Sequence, residues 1–196
     1  MPAARESLLD AACAALGRRA WSAVRMVDVA AAASVSRQTL YNEFGSKDGL
    51  ARALVRRETD LYLAGADRAL REGGLEALAD WTTATARCNP VVRAALTGCW
   101  SERLPSPTLS AVSSPSTVPA QRRANGPLPS PADFVCAVRD RASAALGAPG
   151  LDRAQEQRLA RDCELVVRLA LSCVVAPPEE GGVGRLVRDA VGPRAG

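Results

Sequence analysis

Arg25-Met26-Val27-Asp28-Val29-Ala30-Ala31-Ala32-Ala33-Ser34-Val35 runs directly into Ser36-Arg37-Gln38-Thr39-Leu40-Tyr41-Asn42-Glu43-Phe44-Gly45-Ser46-Lys47. Two short helices joined by a tight turn can be read in this stretch. The first extends from about Met26 to Ala32, with Asp28 in its first turn and Val29 and Ala30 on its apolar face. Ser36 is a good N-cap for the second, which extends through about Phe44, because its hydroxyl can accept from an orphan amide of the first turn. Gly45 stops that helix and Ser46 caps the next. Val29, Ala30, Val35, Leu40 and Phe44 are apolar where two crossed helices would meet. A preceding helix from Glu6 to Arg18 carries Leu8, Leu9, Ala12, Ala15 and Leu16 at helical spacing and completes a small trihelical core.

The other positions of the second short helix are polar and crowd into two turns. Arg37, Gln38, Thr39, Tyr41 and Asn42 offer long donors and acceptors, with apolar anchors behind them. A helix that reads the major groove of DNA needs that arrangement. Arg pairs with guanine, Gln with adenine, and a Thr methyl meets thymine. Tyr41 and Lys47 suit phosphate oxygens, which position a protein without specifying sequence. Charge alone does not make the case. Residues 1–49 hold six basic and five acidic side chains, and an exposed Arg-Gln-Thr face is common on any helical protein. Placement matters more: Arg18, Arg19, Arg25, Arg37 and Lys47 would flank the reading helix.

Farther along the chain, helix signals continue. A long fourth helix from Lys47 to about Arg71 would bury Leu50, Ala53, Leu54, Arg57, Leu61, Ala64 and Gly65, and Gly73-Gly74 would end it. A fifth spans Leu75 to Arg87. Asn89-Pro90 opens a sixth, with Pro at a first helical position, carrying Val91, Val92, Ala95, Leu96 and Cys99 to Trp100. Residues 105–131 turn rich in Pro, Ser and Thr, lose all periodicity, and are expected to form a mobile loop. A seventh helix spans Ala132 to Leu146. Asp152 caps an eighth that reaches Ala176 and has two apolar faces, one through Leu159, Cys163, Val166, Ala170, Cys173 and Val174, the other through Leu165, Leu169, Ser172 and Ala176. Such a helix needs two partners, its own domain and a second chain. A last helix from about Glu179 carries Val183, Leu186, Val187, Ala190 and Val191. The expected fold is all-α, with about nine helices.

The 196 residues are 47% hydrophobic and 23% charged, which supports a real core and argues against a disordered chain. With only 4% aromatics, that core must be built from Ala, Leu and Val. Histidine is absent, which removes Ser–His–Asp and Cys–His nucleophile pairs, His-ligated zinc and imidazole shuttles. No cofactor, metal or catalytic residue is expected. Cysteines 13, 88, 99, 136, 163 and 173 form no Cys-x-x-Cys pair, so they read as buried free thiols, with Cys88 and Cys99 the candidates for a thiol sensor. No secretion-signal run opens the chain. The apolar stretch Leu165 to Ala176 is broken by Arg168 and too short to span a bilayer. A cytoplasmic location with no membrane partner is expected.

From Val27-Asp28-Val29-Ala30, through Ala33-Ser34-Val35-Ser36 and Thr39-Leu40-Tyr41, to Phe44-Gly45-Ser46-Lys47-Asp48-Gly49-Leu50, the chain resembles the tetracycline-repressor (TetR) family. The likeness covers about residues 5 to 55 with unbroken spacing. It implies a homodimeric, all-helical transcription regulator. Residues 1–47 would be a helix-turn-helix DNA-binding domain, joined by a long helix to an effector-binding and dimerisation domain, 48–196. The resemblance sets Ser36, Arg37, Gln38 and Thr39 among the family's DNA-contacting positions, Tyr41 on its phosphate-contacting Tyr, Asn42 on a variable contact position and Lys47 on the Lys that faces the DNA backbone. Arg25 stands where the family often has a capping Thr that touches phosphate, which exchanges the cap for a charge. Ser34 replaces the usual turn Gly and costs on the order of 1 kcal/mol if that residue needs positive φ.

The family pocket lies beside helices five and six, which makes Tyr62, Trp81, Thr85, Cys88 and Trp100 candidate ligand contacts, with Arg87 and Thr82 nearby. The apolar composition suits a fatty acyl, alkane-like or aromatic effector. Helices eight and nine would form a four-helix bundle with their twins through Leu165, Leu169, Ser172, Leu186 and Val187. The expected function is a ligand-responsive repressor that binds a palindromic operator as a homodimer and is released by a small, mostly apolar effector. The alternative is a helical small-molecule-binding protein or enzyme without operator binding.

Overall fold

The computed structural model describes residues 2–105, 130–147, 150–178 and 182–192. They form two compact units. The first holds the residues up to Glu58 together with those from Trp100 to Pro105; the second holds Thr59–Cys99 with those from Ser130 onward. Among the described residues there are eight α-helices and no strand. No helix among them is long and apolar enough to cross a membrane.

The first unit begins with α1, Pro2–Leu16. It starts earlier than its apolar stripe suggested, because Ala3, Ala4 and Arg5 are strong helix formers that extend it backwards. A single 3-10 turn, Trp21–Ala23, leads to α2, Met26–Ala32, and then α3, Arg37–Phe44. Both short helices have the expected bounds. Their shared core contains Leu8, Leu9, Ala12, Val29, Ala30, Leu40 and Phe44, with Leu16 and Val35 packed against it. Trp21 and Val24 also belong to this core. The sequence pattern missed them because they lie in a turn, outside any helical stripe.

The long helix α4, Lys47–Cys88, contributes to both units. Leu50, Ala51 and Leu54 close the first core. In the same unit Arg57 joins α4 to α1: its Nη1 donates to Asp10 at 2.7 Å and its Nη2 to Glu58 at 2.9 Å. The expected inner face of α4 needs correction beyond this point. Leu61 is 58% exposed and Ala64 also faces solvent. Gly65 is buried as expected, but with Val55, Glu58, Thr59, Tyr62, Ala66 and Leu70 also buried, the inward stripe lies about one position away from the one read from Leu61. The helix is broken where expected, at Gly73 (φ −152, ψ 18) and Gly74 (φ 64, ψ −147). Counting its two arms separately restores the ninth helix.

In the second unit, Asn89 caps α5, Pro90–Thr97, accepting from the amides of Val91 and Val92. This helix ends before Cys99 and Trp100, short of the expected bound. Gly98 adopts φ 73 there and its amide returns to Ala94 O, which closes the helix with a left-handed residue. Reciprocal capping boxes open α6, Pro131–Leu146, through Ser130 and Asp133, and α7, Arg153–Val175, through Asp152 and Gln155. The last helix is α8, Gly182–Val191. The expectation that it begins near Glu179 lies outside the described residues. So does the expected loop at 105–131, apart from its ends: Pro105 is buried, and Ser130-Pro131 starts α6. One core cluster of this unit joins Ala79 of α4 to Val166, Ala170 and Cys173 of α7 and to Val183 and Val187 of α8.

Candidate nucleic-acid interface

α3 is positioned from both ends. Ser36 Oγ accepts from Thr39 N at 3.0 Å and shares a hydrogen bond with Thr39 Oγ1 at 2.8 Å. Inward, Leu40 is completely buried and Phe44 nearly so. Outward, Arg37, Gln38, Tyr41 and Asn42 are exposed, while Thr39 is half-buried. Gln38 Nε2 donates to Asn42 Oδ1 at 2.9 Å across one helical turn. That pairing leaves the Gln38 carbonyl and the Asn42 amide hydrogens facing solvent, an acceptor and donors suited to a base edge. Arg37 has no hydrogen bond or ion pair among the described residues, so its guanidinium fork is available. The sequence-derived set therefore falls into two groups. Arg37, Gln38, Tyr41 and Asn42 project from the scaffold. Ser36, and the Thr39 hydroxyl with it, are spent on capping the helix.

The turn before α3 is strained at one residue. Ser34 has φ 55, the only non-glycine with positive φ among the described residues. The conditional cost of placing Ser there therefore applies. The junction after α3 is tight as well: a Cβ added to Gly49 would collide with Phe44 O, so the first turn of α4 tolerates only glycine at that point. Ser46 Oγ accepts from Gly49 N at 3.1 Å, as expected of a cap.

Lys47 is held inside the unit. Its Nζ donates to Ser22 O at 3.1 Å and lies 5.6 Å from the centre of the Trp21 ring. Burial pushes its pKa down. Trp21 is held in turn, its amide donating to Arg103 O at 2.9 Å. Arg25 precedes α2 with extended backbone and forms no side-chain cap, as its substitution for a capping residue implied. Its guanidinium instead grips Asp28, Nε to Oδ2 at 3.2 Å and Nη2 to Oδ1 at 3.1 Å. Two contacts had no sequence signal, because they join elements distant in the chain. Arg5 pairs with Glu43 at 3.6 Å, and its guanidinium lies 4.8 Å above the Phe44 ring.

In the second unit, buried Tyr62 and half-buried Trp81 come together. The Tyr62 hydroxyl lies 3.1 Å from Thr82 Oγ1, and Trp81 Nε1 donates to Tyr62 O at 3.1 Å. Burial pushes the Tyr62 phenol up to about 12. Thr85 is half-buried and Cys88 exposed, and Trp100 belongs to the first unit. A cleft of about 90 Å³ opens beside Thr83, Ala86, Arg87, Arg93, Cys173 and Val174; none of Tyr62, Trp81, Thr85, Cys88 or Trp100 lines it.

On the outer side of α7 and α8, Leu165 is 43% and Leu186 36% exposed and Ser172 is exposed, whereas Leu169 is half-buried and packs against the unit's own core. Val187 is completely buried in the unit's own core and cannot join that outer face. The stripe reading placed it there because neighbouring positions 186 and 187 both fit a helical repeat. Val175, 63% exposed, continues the outer face instead. The thiols also divide. Cys163 and Cys173 are buried as expected, Cys13 is half-buried, and Cys88, Cys99 and Cys136 are exposed. Burial raises the Cys163 and Cys173 pKa values. No group of three or more Cys, Asp or Glu side chains among the described residues is placed to hold a metal.

Over 56 residues the chain is 54% identical to the HTH-type transcriptional regulator AlkX of Mycobacterium tuberculosis, a match covering 29% of this chain. The chain spans 26% of that relative's length in this match. Among solved structures, it is similar to the TetR family repressor AlkX of a Dietzia species, implicated in biodegradation of n-alkanes. That match has 23% identity and a TM-score of 0.49, covering 95% of this chain and 90% of that one. A TetR transcriptional regulator of a Rhodococcus species matches with 18% identity and a TM-score of 0.48, covering 96% and 93%. Residues 8–54 match the family model described as bacterial regulatory proteins, tetR family. Through this N-terminal segment the chain is similar to the tetR family of bacterial regulatory proteins.

Proposed function

We propose that this chain regulates transcription as a repressor, binding double-stranded operator DNA as a homodimer. Residues 1–47 would read DNA, and 48–196 would hold the effector and the partner subunit. The carrying observation is the outward polar face of α3, fixed from behind by Leu40 and Phe44. In this reading Arg37 and Gln38 meet base edges, Asn42 meets a base or sugar edge, and the Thr39 methyl packs against a base. Ser36 sets the helix start. Tyr41, Lys47 and Arg25 meet phosphates. Two copies of α3 engage successive major grooves about 34–36 Å apart, which calls for a palindromic operator. Pairing through α7 and α8 would use Leu165, Ser172 and Leu186, with Leu169 at the inner edge of that face; the exposed Leu165 and Leu186 support it, because an apolar face left exposed in one chain is a candidate for covering by a second copy.

The effector is a small, mostly apolar molecule that binds the second unit and favours a conformation with lower operator affinity. Tyr62, Trp81, Thr85, Cys88 and Trp100 are the residues to substitute first when mapping that contact. An operator titration with and without a saturating fatty acid, alkane or aromatic hydrocarbon tests this part; unchanged affinity excludes the compound used.

Selection of duplexes from a random pool tests the central reading, with recovery of a palindrome as the expected result. Arg37→Ala with Tyr41→Ala should abolish that binding while the melting temperature stays within a few degrees of wild type. Undiminished binding by this double variant would refute the role of α3.

A further inference from the structure

One basic cluster of the first unit extends beyond the single residue, Arg25, that the reading of α3 assigns to a phosphate. Arg19, just beyond α1, and Arg25, just before α2, converge on a single carboxylate. Arg25 holds Asp28 through both oxygens, and Arg19 Nη1 donates to Asp28 Oδ2 at 3.2 Å. The Asp28 side chain is 25% exposed, whereas those of Arg19 and Arg25 are 42% and 74% exposed. The carboxylate is thus the inner member and the guanidiniums the outer ones. Two cations on one anion leave the trio with a net positive charge. Three of the ten guanidinium N–H hydrogens are used, so both forks keep outward donors.

The cluster adjoins the proposed interface. Arg25 follows the turn Trp21–Ala23, and that turn holds Lys47 through the Trp21 ring and Ser22 O. Lys47 and Arg25 therefore flank the same turn, and Asp28 adds Arg19 to that edge. Hydrogen bonding from Arg25 keeps the Asp28 carboxyl below its ordinary range, so it is ionised at neutral pH. Exposed ion pairs of this kind add little stability on their own.

Building on the α3 reading, we propose that Asp28 is a positioning residue that holds Arg19 and Arg25 side by side as a two-guanidinium clamp for a backbone phosphate of the bound DNA. The two outward forks match the oxygens of one phosphate group, and Arg guanidinium binds phosphate through paired, charge-assisted hydrogen bonds. The clamp sets register on the duplex and reads no base.

Asp28→Asn provides a test in which two explanations predict opposite signs. Removing a negative charge near DNA strengthens binding to any duplex if Asp28 acts by charge alone. Loss of the clamp instead weakens binding several-fold, about equally for the selected operator and for an unrelated duplex of equal length, because a phosphate contact is independent of sequence. Arg19→Gln with Arg25→Gln should lower the slope of log affinity against log salt by about one, the signature of one lost phosphate contact. The full chain serves throughout, with melting curves verifying that each variant folds. If Asp28→Asn fails to fold, the arginine pair decides. An Asp28→Asn chain that binds operator as tightly as wild type, or an arginine double variant with the wild-type salt slope, overturns the clamp. A wild-type chain that selects no duplex at all overturns the α3 reading itself, which separates the two failures.

Discussion

Ser34 occupies a left-handed turn position that glycine would occupy at little cost. With φ 55 its Cβ crowds the neighbouring backbone, yet the turn persists because Val35 N reaches Ala30 O at 2.9 Å and Val35 packs against the trihelical core. Ser34→Gly should raise unfolding free energy by roughly 1 kcal/mol, read as a higher denaturation midpoint with an unchanged slope, and leave operator affinity intact. Tyr62 is the second informative residue. Its phenol ionises near 10 in the unfolded chain and about 12 when folded. The raised value means that the unfolded chain loses this proton first. Stability is therefore complete below pH 10 and falls by roughly 1.4 kcal/mol per pH unit between the two values. Denaturant melts at pH 9 and 11 should show this extra loss relative to Tyr62→Phe, which lacks the ionisable group.

Among the elements, α2 and α3 were legible in full. Ser36 has one plausible cap role, and Leu40 and Phe44 share a face by spacing alone, so bounds and burial agree with the reading. The middle of α4 was less legible. Once Leu50 and Leu54 have met the first core, the inward stripe moves to Thr59, Tyr62 and Ala66 because the helix enters a different unit with its own core. The apolar repeat through Leu61 carries no mark of that change. The α3–α4 junction depends on Gly49, where a Cβ would strike Phe44 O. Gly49→Ala should destabilise the chain by about 1–3 kcal/mol, visible as a lower melting temperature, and weaken operator binding by disturbing the seat of α3.

For the molecule as a whole, the outer face of α7 and α8 bears on the assembly. Leu165 and Leu186 are exposed there. If this face joins two subunits, Leu165→Glu with Leu186→Glu should convert a dimer to a monomer in sedimentation analysis and weaken operator binding about a hundredfold or more, since one reading helix then binds without the other. The fold of the single chain should remain, because neither residue belongs to the core cluster of the second unit.

The amino-acid sequence by itself determined the helical class, the N-terminal trihelical unit and the projecting polar residues of α3, because those depend on local spacing, caps and breakers. Tertiary structure alone decided that Trp21 completes the first core and holds Lys47, that Asp28 draws in Arg19 beside Arg25, and that Val187 faces inward while Val175 faces outward. Those outcomes depend on which surfaces meet across long stretches of chain. Periodicity ranks the faces of a helix by polarity, but which one is covered depends on where its neighbours lie.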